Sequence, residues 1–451
     1  MDEELEKRAL RYHAEKRAGK TEVTPTKPFD TVEELSLAYT PGVAAPVKEI
    51  DKERWKAYRY TNKGNLVAVV SNGSAVLGVG NVGAVASKPV MEGKAMLFKI
   101  FADIDAFDIE VSDEEPDRII ATIQAIAPTF GGINLEDIKS PECFYIEEKL
   151  RSLLDIPVLH DDQHGTAVVV SAALINACIV AGKEIPDIKI VICGSGAAGI
   201  STARMLTGMG VCKEHLTMVD SKGVISTGRS DLSAPKSEFA RETGITALSQ
   251  AMVNADVFIG VSKGNILHDH DLEVMADNPI IFTLANPVPE IGYGRASHLR
   301  PDAIIATGRT DLPNQINNAI AFPYIFRGAL DTLSTNINGA MLHAAVKSIA
   351  AIARETVPAE IEKRYGHRLE LGRDYILPKM GDPRLLTEVP VAVARAAMES
   401  GIARRGIASF KEYRDCLLSR VGSENRFSCE KIRHRGKTRN HKGCENRLTQ
   451  I

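Results

Sequence analysis

Apolar residues in this chain gather into blocks of two lengths, and the spacing of the blocks predicts the elements. LVAVV (66–70), AVLGVG (75–80), AMLFKIF (95–101), FDIEV (107–111), IPVLH (156–160), IKIVICG (188–194), HLTMVD (215–220), DVFIGV (256–261), PIIFTLA (279–285) and AIIATG (303–308) are short apolar runs closed off by glycine, proline or charge. Such runs are the pattern of strands buried on both faces. Longer stretches with helical spacing lie among them, notably PDRIIATIQAIAP, TAVVVSAALINACIVAG and ISTARMLTGMG. Strands alternating with helices predict βαβ units and parallel sheets, an α/β fold. The tract IPDIKI around Pro186 reads as a hinge between two halves, and residues 325–410 read as a helix-rich region that packs back across both.

Two glycine patterns of the form G-x-G-x-x-G punctuate these blocks, at Gly78, Gly80 and Gly83 and at Gly194, Gly196 and Gly199. Each is followed about twenty residues later by an acid, Asp103 and Asp220 respectively, the spacing of a dinucleotide site. Context separates the two. The second follows the strand IKIVIC, opens the uninterrupted helix AAGISTARMLTGMG, and leads into a strand ending on Asp220. That order lets backbone approach a pyrophosphate whose charge meets a helix N-terminus. After the first pattern, Lys88-Pro89 and Gly93 are expected to break any helix, so those glycines read as a structural loop that leads on to Lys94.

Candidate chemistry lies in two acidic pairs, Glu136-Asp137 and Asp161-Asp162. Carboxylate oxygens are what hard cations such as Mg2+ and Mn2+ select. The second pair stands where a strand ends and a long helix begins, a place that suits both ligand binding and simple helix capping. Zinc would need His160 and His164, whose spacing crosses the same strand-to-helix junction.

Composition changes little except at the C-terminus. The chain has 451 residues, a net charge of -3 and seven cysteines, which argues against nucleic-acid or membrane-surface partners and for free thiols in a reducing, cytoplasmic compartment. The N-terminus is charged and has no apolar run of a signal peptide. The longest apolar stretch, Thr166 to Ala181, is shorter than the about 20 residues of a bilayer span. From Val421 to Ile451, however, eight Lys/Arg face three Asp/Glu and large apolar residues are scarce. Disorder is expected there, and truncation after Arg420 is expected to leave turnover and melting unchanged.

The blocks LAYTPGVA (37–44), SNGSAVLGVGNVG (71–83), PVMEGKAMLFK (89–99), GGINLEDI (131–138), IPVLHDDQHGTA (156–167), ICGSGAAG (192–199), LANPVPE (284–290) and NQINNAIAFP (314–323), in this order, resemble the bacterial-type malic enzymes. The resemblance implies a substrate and catalytic domain over residues 1–165 and a Rossmann-like NAD(P)-binding domain with C-terminal helices over 166–415, which leaves a basic tail without family character over 416–451. It implies oxidative decarboxylation of L-malate to pyruvate and CO2 with NAD or NADP and with Mg2+ or Mn2+, in a homodimer. Tyr39 would be the general acid at C3 and Lys94 the general base at the malate C2 hydroxyl. Glu136, Asp137 and Asp162 would hold the cation, with Asp161 orienting Lys94 or a ligand. Gly194, Gly196, Ala197, Ala198 and Gly199 would carry the pyrophosphate, with Asp220 and Lys222 at the adenosine ribose. Asn286 and the Asn317-Asn318 pair would hold substrate carboxylates and the nicotinamide ribose. A lysine accepts a proton only when deprotonated, so burial and a neighbouring cation are expected to lower the Lys94 pKa.

Two departures stand out. The animal and plant branch of the family carries a malate-binding arginine near the glycine loop, where this chain has Ala75; Ser74 or backbone amides are expected to substitute. Many bacterial relatives continue into a phosphotransacetylase-like domain, whereas this chain ends in its basic tract, expected to be a frameshifted or truncated end. Cys429, His434, His441 and Cys444 in that tract fit no common zinc spacing. Asp220 favours NAD, because a carboxylate repels a 2'-phosphate, while Ser221-Lys222 could receive one. The competing functions are a non-decarboxylating hydroxy-acid dehydrogenase, which needs no metal, and a catalytically silent nucleotide sensor.

Overall fold

Four parallel strands, β1 (Leu66–Ser71), β2 (Asp105–Glu110), β3 (Gly132–Leu135) and β4 (Val158–His160), form a first sheet in the order β2-β1-β3-β4. The computed structural model describes residues 3–15, 18–76 and 78–420, so the segment 421–451, expected to be disordered and dispensable, lies outside the described residues. β1, β3 and β4 are buried at every position, which is why they read as continuous apolar runs. Leu66, Ala68 and Val70 on one face share a core with Ile119 and Ile123 of the helix Pro116–Ile126 and Ile146 and Leu150 of the helix Glu142–Leu153. Val67 and Val69 on the other face belong to the main core, with the helices Gly83–Ala102 and Asp161–Ala181.

A second sheet holds β5 (Ile190–Cys193), β6 (Leu216–Asp220), β7 (Gly223–Val224), β8 (Val257–Gly260), β9 (Ile280–Thr283) and β10 (Ile304–Thr307) in the order β10-β9-β8-β5-β6-β7, all parallel except β7. The chain leaves β5 toward β6 on one side and later returns to β8 on the other. Such a reversal opens a crevice at the strand's carboxyl end, and the second glycine turn lies there.

The helix Asp161–Ala181 is apolar almost all round, the mark of a helix enclosed by protein. By length and composition it could cross a bilayer, yet 67% of its most apolar window is buried within the protein. It runs unbroken past residue 165, where the division of the chain was expected, so the two halves share a helix as well as a core. The helices Phe322–Asp331, Gly339–Arg354, Pro383–Glu399 and Phe410–Arg420 pack back across both halves. There the buried Arg327 bonds Asp331 at 2.8 Å and Asn65 at 2.6 Å, and the Tyr413 hydroxyl donates to Asp331 at 2.8 Å. By contrast, the helices Glu3–Ala14, Val32–Ala38 and Ala44–Lys52 bury none of their residues.

Three sequence expectations change. AMLFKIF is not a strand but the end of the helix Gly83–Ala102, whose buried residues Met91, Lys94, Ala95, Phe98, Phe101 and Ala102 recur at helical spacing. Nor does Pro89 break that helix. It cannot donate to the Val85 carbonyl, but Val85 is 88% exposed, where water can satisfy that group. The described residues of AVLGVG form a loop rather than a strand, with Gly78 and Gly80 at φ of 80° and 81° and a bridge between Val76 and Gly80. GINL, in turn, is the strand β3, too short and too interrupted by Gly132 and Asn134 to register as an apolar run.

Candidate active site

β3 and β4 are paired with Leu135 opposite His160, so the residues that follow them emerge side by side. These are Glu136 and Asp137 after β3, and Asp161 and Asp162 where the helix Asp161–Ala181 begins. Carboxylate oxygens of Glu136, Asp137 and Asp162 lie within 4.8 Å of one another. Asp137 occupies the left-handed backbone region at φ 52°, uncommon without glycine. Its amide donates to Asp162 Oδ2 at 2.8 Å and so ties the loop to the helix start. Asn134 Nδ2 orients Glu136 by donating to Oε2 at 2.9 Å. Burial raises the pKa of Glu136 and Asp161, an effect partly offset by Lys94 and reinforced by the charge of Asp162.

Four carboxylates thus face one ammonium, largely out of water. Uncompensated buried charge is costly, and an all-oxygen set with surplus negative charge is what a hard divalent cation takes. The residues therefore fit Mg2+ or Mn2+. The two histidines do not converge as a zinc set: His164 Nε2 pairs with Glu147 at 2.9 Å instead.

Lys94 reaches this cluster because it lies one turn before Phe98 on the buried stripe of its helix. Its Nζ bonds Asp161 Oδ2, lies 3.1 Å from Glu136 Oε1 and stands 4.5 Å above the Phe322 ring centre. Burial pulls the Lys94 pKa down, but the charges of Asp161, Glu136 and Asp162 outweigh it, and the net direction is up. The expected lowering presupposes a cation beside these carboxylates. The protein's own charges keep the proton on Lys94, and positive charge added at the carboxylates is what would loosen it.

Asp161 Oδ2 also accepts from Asn318 Nδ2 at 2.7 Å. Gly165 makes room for this carboxylate, since a Cβ there would stand 1.8 Å from Asp161 Oδ1. Alanine ordinarily improves a helix by about 1 kcal/mol over glycine. Gly165→Ala should instead lower kcat, because Asp161 must leave Lys94 to admit the methyl group. Steady-state rates and melting curves of the variant check this, and an active, stabilised variant would contradict it.

The remaining expected residues divide. Tyr39 is not brought to the cluster: it is 74% exposed at the end of the helix Val32–Ala38, and its hydroxyl has no partner among the described residues. Ser74 has another task. Its hydroxyl donates to Asn72 Oδ1 at 2.6 Å and accepts from the Lys139 amide at 2.9 Å, strapping the first glycine loop to the Glu136-Asp137 turn. In this state the hydroxyl is engaged on both sides. Asn317 caps the turn that follows, its Oδ1 accepting from the Ala319 amide at 2.9 Å. Asn286 lies against the first glycine loop, and a Cβ on Gly78 would meet its carbonyl at 2.9 Å. The two halves therefore close on each other at the cleft.

At the second glycine turn each glycine has a separate reason. Gly194, at φ 120°, would drive a Cβ to 2.5 Å from the Val261 carbonyl, and Gly199 would place one 1.8 Å from the Gly194 carbonyl. A Cβ on Gly196 would meet nothing within 4 Å. The first and third glycines serve close packing, and the second opens onto space beside the N-terminus of the helix Ala197–Gly208. That geometry fits a dinucleotide pyrophosphate, with Ala197 and Ala198 in the first turn.

Asp220 does end β6 next to this turn, but it is already claimed. Arg229 donates to both its oxygens at 2.8 and 3.0 Å and Lys236 to one at 2.7 Å. Burial works against the charged carboxylate, yet Arg229 and Lys236 hold its pKa down at about 2. Lys222 points away, to Asp231 at 2.8 Å. Arg229 and Lys236 had no signal in the sequence, since they follow Asp220 in a segment without a motif.

Comparison with known proteins agrees with this arrangement. The sequence profile of the malic enzyme N-terminal domain matches residues 18–115 and 110–151, and that of the malic enzyme NAD binding domain matches 163–364. The NADP-dependent malic enzyme of Escherichia coli K12 is 51% identical over 430 residues, covering 95% of this chain. This chain spans only 57% of that relative's length. The NADP-dependent malic enzyme of Halomonas elongata is 51% identical over 398 residues, 88% of this chain and 94% of the relative. A crystal structure of malic enzyme from Pyrococcus horikoshii superposes with a TM-score of 0.84 at 42% identity, over 92% of this chain and 96% of that one. With both domain profiles present in order and the carboxylates, lysine and glycine turn assembled around one cleft, the chain belongs to the malic enzyme family.

Proposed function

We propose that this chain oxidises L-malate and decarboxylates the product to pyruvate and CO2, reducing NAD+ or NADP+, with Mg2+ or Mn2+ held by Glu136, Asp137 and Asp162. The observation that carries the reading is the buried Lys94, paired with Asp161 and Glu136 at the edge of the carboxylate cluster. A proton acceptor and a cation seat share one pocket. When bound, the cation supplies a Lewis acid at the C2 oxygen and the nicotinamide supplies the hydride acceptor. Lys94 takes the C2 hydroxyl proton as the C2 hydrogen leaves with its electron pair, giving oxaloacetate. Asp161 and Asn318 hold Nζ in place for that transfer. Loss of CO2 leaves the electron pair at C3 as an enolate, and Tyr39 delivers the proton that completes pyruvate. Asn286 and Asn317 orient the substrate carboxylates and the nicotinamide ribose. In this scheme residues 1–165 form the substrate half and 166–415 the dinucleotide half.

The chain works as a homodimer. Val32 is 85% and Leu37 69% exposed on the same N-terminal arm as Tyr39, and exposed apolar surface of that kind is covered in a working assembly. Tyr39 can reach C3 only if the arm closes or a second copy presents it. A reducing cytoplasm suits the free thiols Cys143, Cys178, Cys193 and Cys212.

The test is an assay with malate and Mn2+, run separately with NAD+ and NADP+, following reduced nicotinamide, pyruvate and CO2 together. All three should appear in equal amounts and cease on chelation. Reduced nicotinamide without CO2, or turnover indifferent to chelator, would sink the decarboxylating reading.

A further inference from the structure

The first turn of the helix Asp161–Ala181 carries both acids, yet no side chain at its start caps it. His160 stands at the cap position with a buried ring, but neither ring nitrogen has a hydrogen-bond partner among the described residues. Its Nδ1 lies 3.8 Å from Asp162 Oδ2, too far to orient that carboxylate. A carboxylate from another element fixes the junction instead. Glu147 Oε1 accepts from the His160 amide at 3.0 Å, and His164 Nε2 lies 2.9 and 3.0 Å from the two Glu147 oxygens. Residues 160 and 164 bracket one helical turn, so a single side chain grips both ends of the turn that holds Asp161 and Asp162.

Glu147 occupies a core position. It is 5% exposed, in the buried stripe of Cys143, Ile146 and Leu150 on the helix Glu142–Leu153, while the adjacent Glu148 is exposed. A buried carboxylate is costly unless its oxygens are hydrogen-bonded, and here both are, to the strand-to-helix junction. β4 is the edge of its sheet, so no further strand lies beyond the His160 amide, and Glu147 takes that place. Negative charge beside a helix N-terminus is also favourable. From the opposite side the Asp137 amide holds Asp162 Oδ2 at 2.8 Å. Asp162 is therefore held through its side chain from the end of β3 and through its backbone from Glu147.

We propose that Glu147 is a positioning residue for the cation seat: by holding the His160 amide and the His164 ring it sets the direction in which Asp162 presents its carboxylate to Glu136 and Asp137. Glu147 acts only through residues 160 and 164 and is not itself a ligand. The proposal rests on the reading of Glu136, Asp137 and Asp162 as cation ligands given above. It also gives His164, which the sequence offered only as a zinc ligand, a task in the same site.

The probe is Mn2+ alone, bound to the full chain and measured by calorimetry without malate or nucleotide. Glu147→Ala should weaken Mn2+ binding by about 10- to 100-fold, the range for partners that orient metal ligands. The Mn2+ concentration for half-maximal malate turnover should rise by the same factor, and saturating Mn2+ should restore most of kcat. Glu147→Gln should rescue affinity to within a few-fold, because its amide oxygen can still accept from His160 and the imidazole can accept as well as donate. His164→Ala removes one of the two grips and should weaken Mn2+ by a smaller factor. Its side chain is 19% exposed, so it decides the matter if Glu147→Ala does not fold. Unchanged Mn2+ affinity in either folded alanine variant would overturn the proposal. So would a glutamine variant as weak as the alanine one, or a Glu147→Ala chain whose kcat excess Mn2+ does not restore. An unaltered chain that binds no Mn2+ would overturn the cation reading itself, a result distinct from Mn2+ binding that is indifferent to Glu147.

Discussion

Lys94→Ala should lower malate oxidation by about 10²- to 10⁴-fold, the range of a positioned general base. A second consequence separates this from simple damage. Nζ now lies 3.1 Å from Glu136 Oε1 and against Asp161, where it competes with a cation for the carboxylates. Removing the ammonium leaves the cluster more negative, so Mn2+ should bind at least as tightly as before, as calorimetry would show. A slow variant that also lost its metal would point to a collapsed site instead. Added oxaloacetate divides the two proton-transfer groups: Tyr39→Phe should impair its conversion to pyruvate through the protonation of C3, whereas Lys94→Ala should chiefly impair hydride transfer. Unaltered rates in both variants would refute both roles.

Asp162→Ala should reduce turnover to background in metal-limited buffer while leaving nucleotide binding intact. The carboxylate is one of three whose oxygens lie within 4.8 Å of one another, and it also receives the Asp137 amide at 2.8 Å. Its loss removes a ligand and frees the left-handed turn that aims Asp137. Nucleotide binding should be spared because the glycine turn follows β5, in the other sheet. Full malate turnover at limiting Mn2+ would reject the ligand assignment, and loss of both activities would indicate unfolding.

The placement of Lys94 shows why part of the site escaped a linear reading. AMLFKIF has the composition of a strand, and Pro89 and Gly93 argue against a helix, yet the helix forms. Seen on a helix, Met91, Lys94, Phe98 and Phe101 make one buried stripe with a charged residue at a core position. A lysine there is tolerable only because Asp161 and Glu136 meet it. Those partners follow β3 and β4, far along the chain, and the periodicity of the helix alone carries no trace of them. Ser74 is the converse case. Its position beside a glycine loop suggests substrate, but the Lys139 amide and Asn72 occupy the hydroxyl. The tail at 421–451 lies outside the described residues, so the structure does not bear on its expected disorder.

Local order determined the second glycine turn. Strand, glycines, helix and terminal acid are contiguous, although the Val261 carbonyl that excludes a side chain at Gly194 comes from the end of β8. The acidic pairs, the parallel α/β architecture and the resemblance to the family were legible for the same reason, since each depends on short-range spacing and burial on both faces. Tertiary structure alone decided the electrostatics. It set Asp161, Glu136 and Asp162 around one ammonium and so raised the Lys94 pKa where burial would have lowered it. It also wrapped Asp220 in Arg229 and Lys236, which hold its carboxyl below the usual range although burial works the other way. Coulombic interaction acts through space and falls off with distance, not with separation along the chain, and only the fold states those distances.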